Sequence, residues 1–130
     1  MILLDTHVVI WLALTPEKIS PAATAAIREA ESVGAILGIS AMTLYEVVYS
    51  IRRGRIQPSV PHQVFLDRIR SRLKVFPVSD TIAQCAAELS APFHGDPMDR
   101  IIAATTIVEN CVLITHDDLI RNANVCKVLW

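Results

Sequence analysis

The chain has 130 residues, 12 Lys plus Arg against 13 Asp plus Glu, a formal charge of −1 and 52% apolar residues. That length fits a single domain over 1–130, large enough to bury well over half of its unfolded surface without staples. The near-neutral total excludes a uniformly basic nucleic-acid binder, and 19% charged beside 52% apolar residues excludes disorder. Cys85, Cys111 and Cys126 are too few and too scattered for a disulfide framework or a paired-cysteine zinc site, so a reduced, cytoplasmic setting is expected. The longest apolar run, Val8 to Leu14, has seven residues, far short of the roughly 20 a spanning helix needs. No membrane segment is expected. The start, Met1-Ile2-Leu3-Leu4-Asp5, lacks the basic leader and cleavage pattern of a signal peptide. High apolar content with only 5% aromatics favours an oligomer that buries part of its surface.

Short apolar runs alternate with longer helical patterns. Ile2-Leu3-Leu4 reads as a strand leading into a helix over His7 to Leu14. Ser20-Pro21 starts an Ala-rich helix that ends at Val33 before Gly34. Ala35 to Ile39 reads as the second strand, and Thr43 to Arg53 as a helix closed by Gly54. A loop to Pro61 precedes a helix over His62 to Leu73, with Val64, Phe65, Ile69 and Leu73 on one side. Val75 to Val78 is a short strand, and Ser79 caps a helix to Ser90. Pro92 to Pro97 is a turn, with Asp96 as N-cap of a helix to Asn110. Val112 to Ile114 is a strand, Asp117 to Asn122 a short helix, and Lys127 to Leu129 a last edge strand. This order predicts an α/β fold with a mostly parallel central sheet of four to five strands, flanked by helices.

In such a sheet ligands bind beyond the carboxyl ends of the strands. Asp5 follows the first strand directly, Asp117 and Asp118 follow the fourth, Glu46 lies in an apolar helix after the second, and Asp96 and Asp99 open the helix before the fourth. Wound this way, Asp5, Glu46, Asp99 and Asp117 can converge at one end. Each acid also has a purely structural use: Asp5 and Asp96 as caps, Asp99 as the third residue of a capping box, Asp118 as a solvated group. Glu46 resists that treatment, because a Glu between apolar neighbours is rarely buried without a partner. Two carboxylates about 5 Å apart repel by roughly 3 kcal/mol at an effective dielectric of 20. Several in one pocket need protons or a cation. All-oxygen donors point to Mg²⁺ or Mn²⁺ rather than Zn²⁺, and a metal-loaded acidic pocket points to phosphodiester hydrolysis.

Asp5-Thr6, then Ser40 to Glu46 with Thr43 between, then Asp96-Pro97-Met98-Asp99-Arg100-Ile101-Ile102-Ala103-Ala104-Thr105, then Leu113-Ile114-Thr115-His116-Asp117 together resemble the PIN domain. They are most similar to the VapC-type ribonuclease toxins of toxin–antitoxin pairs. The resemblance runs over nearly the whole chain and in order. It implies a PIN-like fold and an endoribonuclease that uses Mg²⁺ or Mn²⁺ to activate water. On the same basis Asp5, Glu46, Asp99 and Asp117 are the catalytic, metal-holding acids, with Asp96 as an additional acid of one branch. Asp117 is preferred to Asp118 because the family's acid stands two residues after the strand-end Thr or Ser. The resemblance further implies an RNA substrate, a cognate antitoxin protein and a homodimer.

Thr6 and Thr115 are placed to bond an acid or a ligand water. Arg100 beside Asp99 is a candidate phosphate contact or structural ion pair. Arg52, Arg53, Arg55, Arg68, Arg70, Arg72 and Lys74 place seven of the 12 basic residues within 23 positions, opposed only by Asp67. They form either a solvated face or a surface that tracks RNA phosphates, with Arg52 and Arg53 the candidates nearest the acids in sequence. Two other readings stand beside the nuclease. A zinc-dependent hydrolase would use His7, His94 and His116, although no pair has the i, i+4 spacing of a helical zinc motif. A non-catalytic metal- or protein-binding module on the same fold would use the acids structurally. An aspartyl phosphatase fits poorly, since its usual second Asp is His7 here.

Overall fold

The computed structural model describes residues 1–90, 93 and 95–130. Its elements are β1 (Ile2–Leu4), α1 (Thr6–Leu14), α2 (Pro21–Ser32), β2 (Leu37–Ser40), α3 (Ala41–Arg52) and α4 (His62–Arg72), then β3 (Lys74–Phe76), α5 (Asp80–Glu88), α6 (Pro97–Val108), β4 (Val112–Ile114), α7 (Asp118–Ala123) and β5 (Val128–Leu129). A single 3₁₀ turn over Pro16–Lys18 joins α1 to α2. The five strands pair in the order β3-β2-β1-β4-β5, and every pairing is parallel. The sheet is therefore wholly parallel, with five strands at the upper end of the expected number.

Local chemistry explains the boundaries. Ser20 accepts from the Ala23 amide at 3.1 Å and Ser79 from the Ile82 amide at 3.2 Å, so both helices start where the sequence places them. Helix α3 begins two residues earlier than its hydrophobic pattern, because Ser40 is the cap and accepts from the Met42 amide at 3.3 Å. Strand β2 begins later than expected for the opposite reason. The Ala35 amide still donates back to Ala30 O at 2.8 Å, past Gly34 at φ +66°, so Ala35 belongs to the closing turn of α2. The same closure ends α3 at Gly54 and α6 at Asn110, where Cys111 N donates to Thr106 O. Helix α6 accordingly stops at Val108, two residues short of the expected end. Part of the turn predicted over Pro92 to Pro97, including Pro92 and His94, lies outside the described residues.

Successive strand residues point to opposite faces, and helices cover both. Leu4, Ile39 and Ile114 pack with Val8, Val9, Ile27, Val47 and Ile69 on one side. Leu3 and Leu113 pack with Ile102, Ala103 and Ile120 on the other. Each of these strand residues is fully buried, a contribution of about 1.5–3 kcal/mol for each large side chain. The chain winds from β1 outward to β3, then returns across the sheet to β4 beside β1. Strand order reverses between β1 and β4, which makes the region beyond their carboxyl ends the expected place for a ligand.

Candidate active site

Asp5 stands at that reversal. It caps α1 with extended backbone, is only 3% exposed, and uses both carboxylate oxygens. Oδ1 accepts from the Thr6 amide at 2.6 Å, and Oδ2 accepts from the Thr115 hydroxyl at 2.7 Å across the β1–β4 gap. Thr115 is itself fully buried, and its Oγ1 accepts from the Asp117 amide at 3.0 Å. A single hydroxyl thus ties the end of β1 to the start of α7.

Glu46 approaches from α3. Its Oε2 accepts from the Thr6 hydroxyl, and the Thr43 hydroxyl lies 3.2 Å from the same Thr6 oxygen. Thr6 and Thr43 are both buried, so Glu46 is held at the edge of the interior by a small hydroxyl pair. Thr6 and Thr115 therefore bond acids directly.

The acids share one electrostatic field. Burial pushes the Asp5 carboxyl up from its ordinary value, and the nearby Asp117 charge adds to that, against bonds from Thr115 and Thr6 and the proximity of His7. Burial likewise raises the Glu46 carboxyl, and the Asp5 and Asp99 charges raise it further. The end of β1, α3, α6 and the β4–α7 junction so bring Asp5 within reach of the Asp117 charge, and Glu46 within reach of the Asp5 and Asp99 charges. Among the described residues, no three Asp, Glu, His or Cys side chains are oriented as an ion-binding group. The hydrogen bonds account for part of this. Glu46 is turned onto Thr6, and Asp117 Oδ1 accepts from the Leu119 and Ile120 amides at 2.7 and 3.1 Å as the cap of α7. The donor set still fits a hard divalent cation, being all carboxylate and hydroxyl oxygen with the charged forms disfavoured until positive charge arrives.

Other sequence candidates have different placements. Asp96 is exposed and caps α6, accepting from the Met98 amide at 2.8 Å and the Asp99 amide at 3.4 Å. Asp118 is exposed and pairs with Arg121 at 2.9 Å. Arg100 departs from the phosphate contact that its position beside Asp99 invites. Its guanidinium donates to the carbonyls of Ala86 at 2.9 Å, Leu89 at 2.6 Å and Ala87 at 3.3 Å, satisfying the otherwise unpaired end of α5. Arg52 and Arg53 are exposed at the end of α3, where they line a shallow depression with Tyr45, Val48 and Tyr49. The Arg53 guanidinium lies 5.2 Å from the centre of the Tyr49 ring. His7 and His116 are exposed, and both pack on Trp11, whereas His94 lies outside the described residues. Neither His7 nor His116 joins an ion-binding group among the described residues. The ring cluster around Trp11 was not among the sequence candidates. Its only signal is the spacing of four between His7 and Trp11, since the approach of Trp130 depends on the fold.

The PIN domain pattern matches residues 2–125. Ribonuclease VapC22 of Mycobacterium tuberculosis is 31% identical over 121 residues, which cover 93% of this chain and 90% of that protein. This chain belongs to the PIN-domain family. Solved VapBC structures share this fold. The structure of VapBC2 from Rickettsia felis, bound to a promoter DNA fragment, matches with a TM-score of 0.76 at 19% identity over 99% of this chain and 98% of that one. VapBC-1 from nontypeable Haemophilus influenzae matches with a TM-score of 0.72 at 20% identity, covering 99% and 97% of the two chains. At those identities the likeness is one of PIN fold.

Proposed function

We propose that this PIN-domain protein is a divalent-metal-dependent endoribonuclease, the toxin of a toxin–antitoxin pair. The observation that carries the reading is Asp5, a buried carboxyl at the β1–β4 reversal, held through Thr115 and close to the Asp117 charge, with Glu46 feeling the charges of both Asp5 and Asp99. Those four acids are the proposed catalytic and metal-holding residues, with Mg²⁺ or Mn²⁺ as the ion. Bound there, such an ion makes water a better nucleophile and neutralises charge growing on the phosphate oxygens.

The chain's own residues supply position and proton traffic. Thr115 and the Thr6 amide fix both oxygens of Asp5, so that carboxylate arrives already oriented. Thr6 and Thr43 steady Glu46, which is half-buried and has a raised carboxyl, suiting it to accept a proton from the attacking water. Asp99 and Asp117 complete the negative pocket from α6 and α7. Asp96 serves as a helix cap and, at most, as an outer member of the site. No serine, threonine or cysteine nucleophile is required.

The VapBC structures are complexes of related toxins with antitoxins, which supports a cognate antitoxin protein as partner here. A homodimer and action in the cytoplasm complete the proposal. Among the described residues no helix is long and apolar enough to cross a membrane, and the three cysteines are free. The test is cleavage of total or transfer RNA with Mg²⁺ or Mn²⁺, against EDTA and against Asp5→Ala and Asp99→Ala. The expected result is cleavage lost in EDTA and in both variants. Activity that survives either substitution contradicts the metal-nuclease reading, and no cleavage of any RNA favours a non-catalytic binding module.

A further inference from the structure

Four aromatic rings meet beside the acids: three come from the chain segments that carry Asp5 and Asp117, and the fourth, Trp130, follows β5. His7 follows Thr6 on α1, and Trp11 lies one turn further on the same side, with ring centres 5.9 Å apart. His116 stands between Thr115, which bonds Asp5, and Asp117. Its imidazole meets Trp11 at 5.4 Å and 76° and Trp130 at 5.2 Å and 78°. The two indoles are 5.7 Å apart. Tilted and edge-to-face rings at this spacing attract one another beyond their buried area.

Burial divides the cluster into support and surface. Both indoles are half-buried and pack against the core that contains Leu4, Val8 and Ile114. Both imidazoles are exposed. A ring held in place from below, open to solvent and next to a phosphodiester-cleaving pocket, has the properties of a base-stacking site. Single-stranded RNA is bound through unstacked bases placed on Phe, Tyr, Trp or His rings, and every base offers such a face.

We propose that His7 and His116, braced by Trp11 and Trp130, form a stacking surface for one unpaired RNA base beside the scissile phosphate. The inference rests on the nuclease reading above. It makes His7 and His116 substrate-binding residues and the two tryptophans positioning residues. It also restricts the cut to RNA that is unpaired next to the site.

An oligoribonucleotide of one sequence, with a single abasic position moved stepwise past the cut, tests this. In the wild type one abasic position raises KM about tenfold, with little change in kcat. In the His7→Ala/His116→Ala double variant KM for intact RNA is already raised, and the abasic position adds nothing. His116→Phe keeps a ring and restores the abasic penalty, a rescue that a proton-transfer or charge role for His116 would not give. A full abasic penalty in the double variant, or no penalty at any position in the wild type, overturns the proposal.

Binding provides a readout that does not depend on cleavage. Trp11 and Trp130 are the chain's two tryptophans, so intrinsic emission reports on this cluster. In EDTA the intact oligonucleotide shifts the emission and the abasic one does not. Emission that responds equally to both overturns the stacking surface while leaving any observed cleavage intact. An emission difference with no cleavage in Mg²⁺ or Mn²⁺ contradicts the nuclease reading and retains the stacking surface.

Discussion

Thr115, the residue after β4, links two parts of the site through one oxygen: it donates to Asp5 and accepts from the Asp117 amide. Thr115→Val keeps the shape but leaves a buried carboxylate oxygen without its donor. The expected cost is about 1–3 kcal/mol in urea unfolding, and roughly 10- to 100-fold in metal affinity or cleavage rate. The raised carboxyls of Asp5 and Glu46 carry a second consequence. Their ordinary values are 3.8 and 4.5. As pH rises past these, the unfolded chain loses its protons first, so the folded state binds more protons and stability falls until the raised folded values are passed. In EDTA, Glu46→Gln should therefore melt higher than the wild type near neutral pH and lose that advantage at about pH 4. A variant that melts lower throughout would contradict the assignment. The sequence singles out these acids as candidates because Asp5 and Asp117 stand just beyond apolar strands and Glu46 lies between apolar neighbours. The use of Arg100 is not legible there, because its partners Ala86, Ala87 and Leu89 are backbone carbonyls that leave no trace in side-chain pattern.

Elements are legible wherever a cap announces them. Ser20, Ser79 and Asp96 each precede a helix and each is bonded to that helix's first amides. Boundaries drift where backbone closure decides, as at Ala35 and Asn110, since a left-handed turn can extend a helix's hydrogen bonding beyond its hydrophobic pattern. Two substitutions test the packing of elements. A Cβ on Gly38 would stand 2.4 Å from Phe76 Cε2 and 3.1 Å from Lys74 O, and Phe76 is buried. Gly38→Ala should cost about 1–3 kcal/mol, measured by urea unfolding. Arg100→Ala removes charged donors from the end of α5 and should cost about 1.5–3 kcal/mol by the same measurement. A neutral result for Arg100→Ala would contradict that structural role.

At the scale of the molecule, a charge of −1 conceals a separation. Acids gather at the strand ends, while Arg52, Arg53, Arg55, Arg68, Arg70, Arg72 and Lys74 are all exposed along the stretch from α3 to β3. The sequence shows that this stretch is basic, and the fold leaves all seven side chains exposed. If they track RNA, log affinity falls linearly with log salt, by about 0.7 for each phosphate contacted. Arg52→Ala/Arg53→Ala should then lower the slope and weaken binding evenly across sequences, as measured by filter binding at several salt concentrations. An unchanged slope would make that surface merely solvated.

Asp5, Glu46, Asp99 and Asp117 are proposed to act as one site completed by a divalent ion. Thermal unfolding of the wild type and Asp5→Asn in a Mn²⁺ titration measures this most directly. A ligand at about 100 times its Kd stabilises the folded state by about 2.7 kcal/mol. The expected result is a saturable rise in Tm for the wild type and its loss in Asp5→Asn. The same rise in both proteins, or none in either, would contradict it.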